Sequence, residues 1–223
     1  MIRNYLKTIV RIIVRQPVFS AINILGLSIA ITCVVFISLW VRDELSYDKF
    51  HKNRDQIYRV IMNLGEYGNL AVTPPPLIDK IKEDFPEIKY ATRVKDCPKM
   101  VIKNGDRIFR EEKGIFVDPE FFEIFSFYLS WGDKLNLLKD PYNIVFTEMM
   151  ADKYFGNDDP IDKTLYIDGQ PFKVTGVLQN IPENSHLQFD FILPIELLTH
   201  LESDLKDWGN VNLYSYIEVA KGT

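Results

Sequence analysis

From Gln16 to Val41 the chain carries 26 residues without a charged side chain, and this run constrains the fold more than any other feature. At about 1.5 Å of rise per residue it makes a helix roughly 39 Å long, enough to cross a hydrocarbon core of about 30 Å with some tilt. Buried helices of soluble domains are seldom so long and so uniformly apolar, so the run reads as a membrane anchor. A cleaved signal sequence fits poorly. Its apolar region spans about 7 to 15 residues and ends at a small-x-small site, whereas here apolar residues continue through Val34-Val35-Phe36-Ile37 to Trp40. Ala30-Ile31-Thr32-Cys33 puts Thr before the Cys and further apolar residues after it. Trp40 near the outer end suits an interfacial aromatic anchor.

The flanking charges orient the anchor. Arg3, Lys7, Arg11 and Arg15 are the only charges before Gln16, and Arg42-Asp43-Glu44 follow Val41 at once. The positive-inside rule then places the N-terminus in the cytoplasm and everything after Val41 on the far side. All 31 acidic residues lie beyond Val41 with 22 of the 26 basic ones, so the outer part carries a net charge of −9. Nucleic acid requires a basic patch and is not an expected partner. The 182 residues after Val41 suffice for one domain with its own core. Cys33 lies in the anchor and Cys97 outside it, so no disulfide within the chain is expected.

Before the anchor, Arg3, Lys7, Arg11 and Arg15 recur every four residues and stack down one side of a helix, with Ile2, Leu6, Ile9, Val10, Ile13 and Val14 filling much of the rest. This amphipathic stretch over 1–16 suits the inner leaflet, where each basic residue gains about 1 kcal/mol near anionic lipid. The same stripe serves equally as a lever against a cytoplasmic partner. Gln16-Pro17 supplies a bend. Inside the span over 17–41, Gly26 and Ala30 form a small-xxx-small pair one turn beyond Asn23, and Ser28 and Thr32 share that spacing. Small residues permit close helix approach and an Asn in lipid seeks a partner, so this helix is expected to pack on other membrane helices. No carboxylate, amine or imidazole lies within the span, which removes the usual sign of an ion path.

Beyond the anchor, over 42–223, the pattern mixes strands and amphipathic helices and predicts an α+β domain. The helix is expected to run out of the membrane to Phe50. Asn53 caps a short helix through Ile57, and Tyr58 to Leu64 reads as a strand. Pro74-Pro75-Pro76 opens a helix that Pro86 ends. Met100 to Lys103 and Arg107 to Arg110 flank Asn104-Gly105, a strong hairpin signal. Pro119 to Phe125 is a short helix and Asn143 to Phe146 a strand, after which Thr147 caps a helix that Gly156 stops. Leu165 to Ile167 and Phe172 to Leu178 pair around Asp168-Gly169. Gln188 to Leu193, a helix from about Ile195, and Leu213 to Val219 follow.

No catalytic constellation stands out. His51, His186 and His200 are the only histidines and none has the spacing of a helical zinc site. Glu183, His186 and Asp190 sit among Pro182, Asn184 and Ser185, a turn composition, so no metal is assigned to them. Neither a Gly-x-Ser-x-Gly elbow nor a phosphate loop occurs, which excludes ATP hydrolysis by that loop. No catalytic, cofactor-binding or metal residue is assigned. Asp43-Glu44 and Asp158-Asp159 read as solvated faces. Phe116, Phe121, Phe122, Phe125, Phe127 and Tyr128 read as core.

The segment Val41 to Val60, VRDELSYDKFHKNRDQIYRV, resembles the junction between the first membrane helix and the periplasmic domain of MacB/FtsX-like ABC transporter permeases. The resemblance continues in order through Thr73-Pro-Pro-Pro-Leu77, Phe85-Pro-Glu-Ile88, Val117-Asp-Pro-Glu-Phe-Phe122 and Phe125-Ser-Phe127. It then runs through Thr147-Glu-Met-Met-Ala-Asp-Lys-Tyr-Phe-Gly156, Asp159-Pro-Ile161, Val174-Thr-Gly-Val177 and Ile181-Pro-Glu-Asn-Ser-His-Leu187. Asp162 departs from the pattern, since the family usually carries Gly after Pro-Ile.

The resemblance implies a MacB-like periplasmic core domain, three further membrane helices beyond it, and therefore a chain that is a fragment at Thr223. It implies a non-catalytic permease subunit of a bacterial inner membrane, working with a separate ABC ATP-binding subunit, a second permease copy, membrane lipids, and a periplasmic adaptor or substrate protein. ATP-driven closure of the cytoplasmic subunits would move the helices and, through the stalk, the outer domain. The alternative is a single-span sensor whose periplasmic domain binds a ligand.

Overall fold

The computed structural model describes residue 7 and residues 11–200 and 205–222, with Tyr67 and His200 described by backbone only. They fall into two compact units, Met1–Tyr47 and Asp48–Thr223. In the first, the apolar run folds as one helix, α1 (Pro17–Glu44). Pro17 opens it in the first turn, where a missing N–H leaves nothing unpaired. None of its residues is buried, and it is long and apolar enough to cross a membrane. Residues 11–15 are helical as well. The helix stops at Glu44, short of the expected Phe50: residues 45–50 are turns, and Asp48 takes φ +56°, which no continuing right-handed helix permits.

The strands of the second unit, in chain order, are β1 (Ile57–Val60), β2 (Met62–Asn63), β3 (Asn69–Leu70), β4 (Ile88–Asp96), β5 (Met100–Asn104), β6 (Arg107–Glu111), β7 (Gly114–Val117), β8 (Leu129–Gly132), β9 (Asn143–Thr147), β10 (Thr164–Ile167), β11 (Gln170–Leu178), β12 (Phe191–Pro194) and β13 (Tyr214–Val219). Among the described residues four short α-helices join them: α2 (Leu77–Asp84), α3 (Phe121–Ile124), α4 (Glu148–Phe155) and α5 (Leu197–His200). One mixed sheet runs β1-β13-β4-β7-β12-β9-β11-β10-β5-β6, with β8 added beside β11, and β2 and β3 form a separate ribbon. Among the described residues only β9/β11 and β7/β12 are parallel.

The central strands Gly-Ile-Phe-Val, Asn-Ile-Val-Phe-Thr and Phe-Ile-Leu-Pro are buried throughout, because the sheet is covered on both faces. Phe116, Ile144, Phe146, Phe191 and Leu193 enter a core with Met150, Tyr154 and Phe155 of α4. Their neighbours Ile115, Val117, Val145 and Ile192 enter a second core with Phe121, Phe122 and Ile124 of α3. Successive side chains thus alternate between two cores, as a period of two requires. On β11 the register slips between Val174 and Gly176, and the extra residue lets Val174 and Val177 face the same core.

Local chemistry sets most element ends. Thr147 accepts from the Met150 N–H to cap α4, and Gly156, at φ +64°, ends it by donating to the Asp152 carbonyl at 2.8 Å. Asp168 and Gly169 both take positive φ in the β10–β11 hairpin. The β5–β6 loop is Gly105-Asp106, one residue later than expected, because the Asn104 side chain donates to the Tyr154 carbonyl at 3.0 Å. The strand expected from Gln188 begins only at Phe191, since Gln188 Nε2 donates to the carbonyls of Pro182 and Ser185. The strand expected over 58–64 breaks at Ile61. Asn53 makes no cap bond and donates to Glu218 Oε1 at 3.1 Å instead. Asp162 sits at φ +62°, the conformation for which the family's usual Gly is suited. Of the aromatic group, Tyr128 is exposed, against expectation, and Phe127 half-buried.

Candidate functional site

The second unit begins with a polar knot. Asp48, in its left-handed conformation, donates its N–H to the Asn184 carbonyl at 2.9 Å. Its carboxylate receives the His186 N–H on Oδ1 at 3.1 Å and His186 Nδ1 on Oδ2 at 2.8 Å, with the Ser185 hydroxyl at 3.4 Å from Oδ1. Short polar side chains that bond their neighbours' backbone favour such turns and tolerate positive φ. Two segments 138 residues apart are thereby tied by bonds to both backbone and side chain.

The bond chain continues inward. His186 Nε2 lies 3.1 Å from the Tyr216 hydroxyl, and Arg59 and Tyr216 are partners across β1 and β13. A carboxylate only accepts, so His186 donates its Nδ1–H to Asp48 and the Nε2 of the neutral ring accepts the Tyr216 proton. That assigns the Nδ1–H tautomer to His186, donating to Asp48. Burial pushes the Tyr216 phenol up to about 12, against the pull of Arg59. The Asp48–His186–Tyr216 line has the connectivity of an acid–base relay, yet a buried phenol that holds its proton is a poor nucleophile. The arrangement holds two segments together.

His51 completes the knot from the other side. It is 3% exposed and walled by the rings of Phe50, Phe125 and Phe127 at 4.0 to 5.2 Å. Its Nδ1 accepts the Ser126 N–H at 3.0 Å, while Lys52 donates its N–H back to Ser126 Oγ at 3.0 Å. The neutral ring therefore carries its proton on Nε2, which has no hydrogen-bond partner and lies 3.9 Å from Asp48 Oδ1. Burial holds the His51 pKa down at about 4, although Asp48 pulls it up. With Nδ1 engaged as an acceptor, Nε2 is not free to ligate a cation. Among the described residues no group of three or more His, Cys, Asp or Glu is placed to hold a metal.

A second pin ties further motifs. Asp118 receives Arg93 NH2 at 2.6 Å, Arg93 Nε at 3.0 Å and the Arg93 N–H at 2.6 Å, while Arg93 NH1 donates to the Pro75 carbonyl at 3.2 Å. Such a bidentate, nearly dry pair fixes β4, β7 and the triple-proline turn relative to one another.

The residues singled out from sequence lie elsewhere. Lys7, Arg11 and Arg15 are helical with exposed side chains, whereas Arg3 lies outside the described residues. Asn23, Gly26 and Ala30 are exposed along α1, and a methyl added at Gly26 would meet nothing within 4 Å. Thr32 spends its hydroxyl on the Ser28 carbonyl at 2.8 Å. The knot itself was not singled out. Its signal was the polar content of two motifs, Ser46-Tyr-Asp-Lys-Phe-His51 and Asn184-Ser-His186, whose proximity only the tertiary fold supplies.

The fold recurs in solved structures. A domain of a protein described as a permease from Porphyromonas gingivalis has a TM-score of 0.67 at 23% identity, covering 78% of this chain and 79% of that one. The periplasmic region of MacB from Actinobacillus actinomycetemcomitans has a TM-score of 0.53 at 14% identity, covering 75% and 74%. The extracellular domain of the noncanonic ABC-type transporter YknZ from Gram-positive bacteria has a TM-score of 0.52 at 15% identity, covering 74% and 83%. At these identities the likeness shows the fold. No curated protein sequence matches the chain. The MacB-like periplasmic core domain family matches residues 20–223, nearly the whole length. With a mixed sheet of this kind following one apolar helix, the chain belongs to the MacB-like periplasmic core domain family, found in membrane permease components of ABC transporters.

Proposed function

We propose that the chain is a non-catalytic permease subunit that converts ATP hydrolysis by a separate cytoplasmic subunit into movement of a periplasmic domain. In this reading residues 1–16 lie on the cytoplasmic face of the inner membrane, 17–41 cross it, and 42–223 work in the periplasm. The stripe Arg3, Lys7, Arg11 and Arg15 meets lipid phosphates or the ATP-binding subunit. Asn23, Gly26 and Ala30 pack on other membrane helices, and a second permease copy and a periplasmic adaptor or substrate protein complete the assembly.

The observation that carries this reading is the bonding of Asp48. It follows the end of α1 by four residues and is bonded through backbone and carboxylate to the 184–186 turn. A pull on the incoming chain at Asp48 would reach Tyr216 on β13 and Arg59 on β1 through His186, without first unravelling a loop. Two charge-assisted bonds of the kind Asp48 makes are together worth about 2 kcal/mol or more.

Asp48→Ala is expected to leave ATP hydrolysis by the reconstituted complex intact while movement of the outer domain, followed between spin labels, falls several-fold per ATP. Unchanged movement per ATP would remove Asp48 from the force path. Reversing the stripe with Lys7→Glu and Arg11→Glu is expected to uncouple hydrolysis from outer-domain movement or to misorient the anchor. Reporter fusions separate these two effects, and a double variant with normal topology and normal coupling would refute any role for the stripe.

A further inference from the structure

Beside the knot lies a cavity of about 370 Å³ whose walls are chemically lopsided. Arg54 and Arg59 line it together with Phe125 and Ile57. The one carboxylate on its wall is Asp48, whose two oxygens are already occupied by the His186 N–H, His186 Nδ1 and the Ser185 hydroxyl. Arg54 is only loosely engaged, at 3.4 Å from the Lys49 carbonyl and 3.6 Å from Asp55, which is itself solvated. Arg59 is the strand partner of Tyr216, and its guanidinium fork has five donors in all. His51 also lines the cavity, and its Nε2 is a buried polar atom with no partner. Two guanidiniums with spare donors beside an apolar wall, in a domain of net charge −9, are an arrangement for which the knot itself gives no reason.

We infer that this cavity is a binding site for a small carboxylate-bearing molecule with a compact apolar body. The carboxylate takes a bidentate seat between Arg54 and Arg59, and the apolar part lies against Phe125 and Ile57. A cation of the same size is rejected, because it would face the two guanidiniums while the one carboxylate, Asp48, is already engaged by His186 and Ser185. Since His51, His186 and Tyr216 line the cavity and belong to the bonded network around Asp48, an occupied site stiffens the start of the outer domain. The inference goes beyond the proposed coupling role and does not depend on it.

Benzoate is the probe, with benzylamine as the control of like shape and opposite charge, titrated into the full chain in neutral detergent at low salt. Calorimetry and the imidazole ¹⁵N resonances of His51 read the binding. Benzoate is expected to saturate with a Kd on the order of 1 mM, as suits about nine heavy atoms, and to shift His51 Nε2, while benzylamine gives neither effect. Arg54→Gln and Arg59→Gln are each expected to weaken benzoate about tenfold, the usual worth of one charged hydrogen bond. If Arg59→Gln disturbs folding, the exposed Arg54 still decides the matter. No saturation by about 20 mM, well beyond the expected Kd, would overturn the site. So would equal binding of benzylamine, or unchanged affinity in the Arg54 variant. Any of these results leaves the outcome of Asp48→Ala on coupling untouched, so the two readings fail separately.

Discussion

Gly114→Ala is expected to destabilise the outer domain by about 3 kcal/mol or more. Gly114 opens β7 and pairs with Phe191 of the parallel neighbour β12. A Cβ at Gly114 would overlap the Phe191 ring, with Cε1 at 2.9 Å and two further ring atoms closer. Neither side can yield cheaply. Phe191 is fully buried, and β7 is held between β4 and β12 near the middle of the sheet. Overpacking in a well-packed core ordinarily costs about 1–3 kcal/mol, and here the obstacle is a rigid ring with no free rotamer space. Urea unfolding of the chain in detergent measures the loss. Phe191→Leu costs stability alone by leaving a void, yet in the Gly114→Ala background it is expected to recover at least 1 kcal/mol, because the methyl then occupies vacated space. Additive effects of the two substitutions would show that the methyl and the ring do not compete for the same volume.

This glycine also marks how far the sequence could be read. A Gly at the head of Gly-Ile-Phe-Val is expected to weaken a strand, and nothing local announces that an aromatic ring from residue 191 lies across it. Elements specified by their own residues were legible. The Thr147 cap and Gly156 stop, the Asp168-Gly169 hairpin and the uncharged helix each rest on interactions within a few residues. Strands whose ends depend on distant partners were not. Gln188 stays outside β12 because its side chain bonds two carbonyls of the preceding turn. The knot belongs to this second class. In sequence Asp48 reads as part of a helix running on to Phe50 and His186 as an ordinary turn residue, and their roles arise only when sheet pairing brings β1 and β13 together and carries both segments to one end. Asp162 is intermediate. As a departure from the usual Gly it marked a special turn, and its positive φ is the physical content of that mark.

The buried histidine carries the second large effect, on acid stability. In the unfolded chain His51 takes up a proton near pH 6.5, whereas burial among Phe50, Phe125 and Phe127 delays this in the folded domain to about pH 4. Between those values the unfolded state holds more protons, so falling pH favours it. The contribution of His51 to stability is complete above pH 6.5, declines by about 3 kcal/mol as pH drops toward 4, and changes little below that. Structure gives the same direction. A proton on Nδ1 would face the Ser126 N–H that Nδ1 now accepts, breaking the reciprocal link between residues 51–52 and 126. Asp190 and Glu196 act the other way, since burial raises both carboxyl pKa values in the folded domain and lets it gain stability as pH falls. The measurement is therefore a difference between the native chain and His51→Asn, whose amide oxygen can accept from Ser126 without titrating. The variant is expected to be less stable at pH 7, with the gap closing by about 3 kcal/mol between pH 6.5 and 4. Parallel stability curves over that window, or an imidazole resonance of His51 titrating near 6.5 in the folded chain, would show that His51 is solvated in the native state and that the aromatic wall around it is not closed.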